Sequence, residues 1–100
     1  CGHVHVPALY RAGADGRIVA HHPAEGIPVP LASRHRWLAV IGSVGQPRDE
    51  DPRSCYVIMD DKQEEIEFRR IEYNLELTIK KIYDIPDLDN MLGDRLRGGR

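Results

Sequence analysis

Cys55-Tyr56-Val57-Ile58-Met59-Asp60 and Glu65-Ile66-Glu67-Phe68-Arg69, parted by the polar residues Asp61, Lys62, Gln63 and Glu64, decide the fold. Aromatic and β-branched residues crowd both runs, and a short polar connection of this length joins neighbouring antiparallel strands. In the returning run Ile66 and Phe68 stand two apart, so they share one face of a sheet. The alternation slips at Arg69-Arg70 and resumes with Ile71 and Tyr73, which predicts a bulge or bend.

Toward the C-terminus the period changes from two to that of a helix. Asn74 is suited to cap a helix whose first turn holds Glu76, where the helix dipole favours a negative charge. Leu75, Ile79 and Ile82 give its apolar stripe, and Ile85-Pro86 ends it. A second short helix is predicted from Asp87, with Leu88, Met91, Leu92 and Leu96 on one face. Arg95 and Arg97 make its last turn basic, and Gly98-Gly99 stops it.

Toward the N-terminus, Val4 to Tyr10 reads as a strand end interrupted by Pro7. Asp15-Gly16 lies between Ala8–Tyr10 and Arg17–Ala20, a hairpin signal. Residues 21–36 hold three of the seven prolines and no stable period, and read as loop. Trp37-Leu38-Ala39-Val40-Ile41 is a continuous apolar run, predicted as a buried strand with Trp37 in the core. Residues 42–54 form a long loop with glycines, prolines and alternating charges, of a kind that is more often functional than idle. Strands joined mainly by hairpins, with helices last, predict one piece of a layered sheet-and-helix fold of mixed α/β character.

At 100 residues the chain makes at most one domain. It is 41% hydrophobic and 30% charged, with a formal net charge of −2, so charge gives no case for a nucleic-acid or anionic-membrane partner. No apolar run reaches the roughly 18–20 residues of a membrane span. Cys1 and Cys55 have no metal-like or redox-like spacing and read as small apolar core residues in a reducing, cytoplasmic setting; spacing alone leaves a disulfide between them open.

Chemistry concentrates in two places. Cys1-Gly2-His3-Val4-His5 is a Gly-His-x-His element, and a chain that opens inside it, not on methionine, is expected to be the tail of something longer. On extended backbone His3 and His5 would lean the same way, toward one ion or one pair of ions. Strand histidine pairs also occur for ordinary polar reasons, and two histidines do not complete a site. The second place is the loop. Gly42 and Gly45 let backbone approach a ligand, Ser43 offers a hydroxyl, and Arg48 or Arg53 is suited to phosphate oxygens. Equally, Asp49, Asp51 and the arginines can simply neutralise one another. It is not a nucleotide-binding P-loop, since no Gly-Lys-Ser/Thr follows. His21, His22 and His35 read as solvated, and Lys80, Lys81, Asp94 and Arg95 as an exposed helix face.

Taken together, Gly2-His3-Val4-His5-Val6-Pro7, Gly42-Ser43-Val44-Gly45-Gln46-Pro47-Arg48, Asp51-Pro52-Arg53 and Tyr56 resemble the closing third of the calcineurin-like metallophosphoesterases. The likeness is greatest to the small bacterial phosphodiesterase and diadenosine-tetraphosphatase-like branch. It extends over essentially all 100 residues, and its specific part is the glycine-proline-arginine string. The resemblance implies that residues 1–100 are the C-terminal segment of a single domain, a four-layer αββα sandwich whose N-terminal part carries the other ligands. It implies phosphate-ester hydrolysis by two divalent ions (manganese, iron, zinc or nickel), with His3 on one and His5 on the other. The loop residues Gly42, Ser43, Gln46 and Arg48 would then line the substrate side. By itself the segment is expected to be inactive. Val4 stands where the family usually has threonine, Val40-Ile41 where it has Asn-Pro, and Glu50 where glycine is common. These departures also suit a non-catalytic scaffold or binding module of the same fold, and a self-contained small His-x-His metal protein is the third reading.

Overall fold

The hairpin centred on residues 61–64 is the spine of one of two sheets in the computed structural model, which describes residues 1–100. In chain order the elements are β1 (Ala8–Ala12), β2 (Ile18–His21), β3 (Val29–Pro30), β4 (Arg36–Val40), β5 (Ser54–Asp60), β6 (Glu65–Ile71), α1 (Leu75–Tyr83) and α2 (Met91–Arg97). One three-stranded sheet has the order β2-β1-β4, the other β3-β6-β5, and every pairing within them is antiparallel.

Register follows the alternation of side chains. Leu9 pairs with Ala39 across β1 and β4, and Val57 pairs with Phe68 across β5 and β6. The inward faces of the two sheets meet at Leu9, Cys55, Ile66 and Phe68, with Val29, Leu31, Trp37, Ala39 and Val57 packed against them. Leu9 is fully buried, and removing a side chain of this kind from a core costs about 2–5 kcal/mol. At the tip of the hairpin Asp60 Oδ1 accepts from the N–H groups of Lys62 and Gln63, both at 2.9 Å, and this local bonding sets the turn.

The helices follow as a pair. Asn74 caps α1 as expected, its side-chain oxygen accepting from Leu77 N–H at 3.1 Å. Ile79 of α1 and Gly93 and Leu96 of α2 are the buried residues of the pair. Arg97 grips Glu76 in a two-point contact, Nε at 3.0 Å and Nη2 at 2.8 Å, which holds the Glu76 carboxyl below its ordinary range. No helix is long and apolar enough to cross a membrane.

Several expectations need correction. Residues 21–36 are not all loop: Val29–Pro30 pairs with Ile66 and Glu65 as β3. Two residues are too short to show a period, so the strand had no signal. The run at 37–41 is not buried on both faces. Strand β4 alternates half-buried Trp37 and Ala39 with exposed Arg36 and Leu38, and it is an edge strand here, so its apolar outer side faces out. The second helix starts at Met91, not Asp87, after a turn in which Asp89 Oδ1 accepts from Met91 N–H at 2.8 Å. Cys1 is exposed and only Cys55 is in the core; both thiols are free. His21 and His35 are half-buried, not solvated. Their rings flank Trp37 at centroid distances of 6.5 and 6.2 Å.

The expected bulge at Arg69-Arg70 is absent. Pairing runs unbroken from Asp60↔Glu65 to Ser54↔Ile71. The slip in the sequence pattern has another cause: Arg70 occupies an inward position on the same face as Ile66 and Phe68.

Candidate metal centre

The two histidines are brought forward by a turn, not by the extended strand their spacing suggested. Val4 N–H donates to Gly2 C=O at 2.9 Å, closing a three-residue turn around His3, whose φ is +69°. That is the strained, positive-φ form of the γ-turn. His5 also sits at positive φ, +67°. Left-handed backbone is uncommon for residues other than glycine, although histidine enters it more readily than most. Two such residues in three positions mark a segment shaped for something other than stability.

The side chain of His5 is half-buried and held. Its Nδ1 lies 2.9 Å from the main-chain oxygen of Gln46. A carbonyl can only accept, so in the neutral ring Nδ1 carries the proton and donates it, which leaves Nε2 with its lone pair free. A histidine that ligates through one nitrogen is commonly oriented by a bond of this type from the other. In return Arg48 N–H donates to His5 C=O at 3.2 Å. The exposed ring of His3 makes no hydrogen bond within the chain.

The 42–54 loop thus meets the first motif, as a site spanning both would need. Gly42 lies where a side chain would strike Cys55, 3.0 Å from Sγ and 3.1 Å from Cβ, and its φ of +76° is glycine territory. Being buried, it shapes the loop. Ser43 C=O accepts from Cys55 N–H at 2.8 Å, and Ser43 Oγ accepts from Gln46 N–H at 2.9 Å. Arg48 is exposed, tied only by Nη2 to Gln46 Oε1 at 3.1 Å. Arg53 is occupied: it contacts Asp51 through Nε at 3.0 Å and Nη2 at 2.7 Å, and Glu25 through Nη1 at 3.1 Å and Nη2 at 2.8 Å. These bonds hold the Asp51 carboxyl below its ordinary value and raise the Arg53 guanidinium. Of the two arginines considered for an anion, Arg48 is the free one.

The sequence reading did not assign to the site three residues that support it. Arg70 reaches from β6 to the Asp49 carboxylate and donates from Nη1 to Arg53 C=O at 3.2 Å. Glu25 comes from the stretch read as plain loop. Gly99, beyond α2, accepts from Glu50 N–H at 3.1 Å, and its φ is +61°. A Cβ there would lie 2.6 Å from Asp51 N, so only glycine lets the C-terminus dock on the loop.

No group of three or more His, Cys, Asp or Glu side chains able to hold an ion forms within the chain. As donors His3 and His5 fit a divalent metal: one exposed ring, and one ring with Nδ1 committed and Nε2 open. They fit as part of a set, since catalytic metals ordinarily take three or more protein ligands.

No family model matches the chain. A crystal structure described as a metallophosphoesterase from Sphaerobacter thermophilus is similar over 99% of this chain and 41% of its own, at 34% identity and a TM-score of 0.85. A curated relative, an uncharacterized protein of Methanocaldococcus jannaschii, is 36% identical over 99 residues, which is 99% of this chain and 38% of that protein. The chain therefore spans about two-fifths of the length of each. Over nearly its whole length the chain has the mixed α/β fold of the C-terminal part of a metallophosphoesterase.

Proposed function

We propose that this chain is the C-terminal segment of a domain that hydrolyses phosphate esters with two divalent metal ions. His3 binds one ion and His5, through Nε2, the other. Gly42 and Ser43 shape the loop, while Gln46 and Arg48 face the phosphate ester. The ions, when bound, supply a hydroxide nucleophile near neutral pH and polarise the phosphorus centre. The remaining ligands, carboxylates above all, come from an N-terminal part of the same domain.

The observation that carries this reading is the lock on His5. A left-handed residue whose Nδ1 is tied to a loop carbonyl keeps its other nitrogen free, and no partner within these 100 residues uses it. The surface supports the need for a further part. The chain exposes 6980 Å², against roughly 5800 Å² expected for a monomeric protein of 11.4 kDa. Its radius of gyration is 16.4 Å, where about 13 Å is usual at this length. Tyr10, Ile18 and Leu38 line an open apolar face on the outside of the β2-β1-β4 sheet. Along the free edge of β4, Cys1 donates to Ala39 C=O at 2.6 Å and accepts from Ile41 N–H at 2.9 Å. Bonds to the two neighbours of Val40 are the parallel-ladder pattern, so Cys1 sits on this edge as a residue of a parallel strand would.

The test joins this chain to an N-terminal part carrying the complementary ligands and assays a chromogenic phosphodiester with manganese. Hydrolysis by the joined protein, with none from the chain alone, is expected. A joined protein that holds both metals and still fails to turn over the ester ends the proposal.

A further inference from the structure

We propose that Arg70 is a positioning residue for His5, holding the 42–54 loop where Gln46 can accept the imidazole proton. The inference rests on the reading of His5 as a metal ligand. Arg70 stands on the inward face of β6, two residues beyond Phe68, at a position the sheet would otherwise give to an apolar side chain. Its side chain is only 9% exposed. The guanidinium pairs with Asp49, donates to Arg53 C=O at 3.2 Å and lies with Nε 3.9 Å from Asp51 Oδ2, so it grips the returning limb of the loop.

The path from Arg70 to His5 is short. Asp49 follows Arg48, whose N–H donates to His5 C=O, and Gln46 provides the carbonyl for His5 Nδ1. Across residues 46–49 the loop's only hydrogen bonds to the rest of the protein are those with His5 and Arg70. Elsewhere the loop has independent anchors: Ser43 on Cys55 at 2.8 Å, Ser54 Oγ on Val44 C=O at 2.7 Å, and Gly99 on Glu50 at 3.1 Å. Loss of Arg70 therefore frees the segment that orients His5 and leaves the two ends of the loop tied. Asp49 Oδ1 is buried without a partner, so Arg70 alone offsets that carboxylate. An arginine retained in such a place costs desolvation, and it is explained if the geometry it imposes is needed.

Once Gln46 C=O drifts away, nothing keeps the proton on Nδ1. The neutral ring then spends time with the proton on Nε2, where it blocks coordination. Removing an outer partner of a ligating histidine typically weakens metal affinity about 10–100-fold.

The experiment uses the joined protein with ¹⁵N-labelled histidine at pH 8. In the metal-free wild type, His5 is expected as a single tautomer with the proton on Nδ1. In Arg70→Met the two nitrogen shifts should move toward a tautomer mixture, with Zn²⁺ affinity reduced about 10–100-fold. Asp49→Asn removes the same ion pair and leaves Arg70 only the Asp51 carboxylate, 3.9 Å from its Nε, and should show the same two changes if Arg70→Met does not fold. A wild-type His5 protonated on Nε2 overturns the inference at once. So does either folded variant that keeps the Nδ1–H tautomer and binds Zn²⁺ within twofold of wild type. If the tautomer responds to Arg70 but the joined protein hydrolyses no ester, the inference stands and the proposed activity falls.

Discussion

The ring of His5 and the backbone of Gln46, forty-one residues apart, are joined by a single hydrogen bond of 2.9 Å from Nδ1 to the carbonyl oxygen. That bond couples the N-terminal motif to the loop, and it decides which nitrogen is free to coordinate. In the joined protein His5→Ala is expected to release one of two ions and His3→Ala the other, each with a fall in kcat on the order of 100-fold or more. Metal analysis after desalting, with ester turnover on the same samples, measures both. Two firmly held ions in His5→Ala would remove His5 from the ligand set.

Glu50 carries a strain that a single substitution relieves. Its φ is +66°, left-handed backbone that glycine adopts without penalty. A side chain in left-handed backbone costs roughly 1–2 kcal/mol, part of which glycine gives back through its freer unfolded state. Glu50→Gly should therefore stabilise the protein by about 0.5–1 kcal/mol, read as a higher urea midpoint at unchanged slope. The bond from residue 50 N–H to Gly99 is a backbone bond and survives the change. A lower midpoint would mean that the Glu50 side chain holds the loop in a way its exposed position does not suggest.

Gly42 is the opposite case. Alanine there meets Cys55 Sγ at 3.0 Å and Cβ at 3.1 Å, in a backbone with φ of +76°. Conformational strain and overpacking of a buried contact both act, together costing about 2–4 kcal/mol. Gly42→Ala should lower the urea midpoint accordingly. Because Ser43 bonds to Cys55 through its backbone, loop position should shift with it and weaken Zn²⁺ binding in the joined protein. Unchanged stability would show that β5 gives way more easily than its pairing with β6 implies.

The fold was legible where a period was long enough to count. Ile66 and Phe68 announced β6, Asn74 and Ile79 announced α1, and the structure has both. Val29–Pro30 was not legible because two residues have no period, and β4 was misjudged because an apolar run looks alike whether both faces are covered or one is still bare. The loop's glycines and its meeting with His5 were foreshadowed by resemblance, but the hydrogen bonds between them were not. The most informative signal was misread. Arg69-Arg70 broke the alternation and suggested a bulge, whereas a regular strand carries an arginine inward to meet Asp49. A charged residue at a core position reads from sequence as an irregularity of backbone until its partner, twenty-one residues away, is known.

The two thiols should be separable by reactivity. Cys1 is exposed, while Cys55 is buried behind Gly42, and burial pushes its thiol pKa up. At pH 8 a chromogenic disulfide reagent should release one equivalent promptly and the second only on unfolding. Two prompt equivalents would mean that the Gly42–Cys55 contact opens readily, and none would mean that the cysteines are oxidised.

Acid should loosen the loop before it unfolds the sheets. Arg53 donates to Asp51 at 3.0 and 2.7 Å, holding that carboxyl below its ordinary 3.8. With the folded value depressed, the unfolded chain binds the proton more readily, so the pair contributes its full stability above about pH 4. That contribution is lost as pH falls through the lower folded value. Between pH 7 and 5 the urea midpoint should be insensitive to this pair, and below pH 4 it should decline. Asp51→Asn should be less stable at pH 7 and show a shallower decline in acid, because the group that titrates is gone. Parallel declines in the two proteins would assign the acid sensitivity to carboxylates other than Asp51.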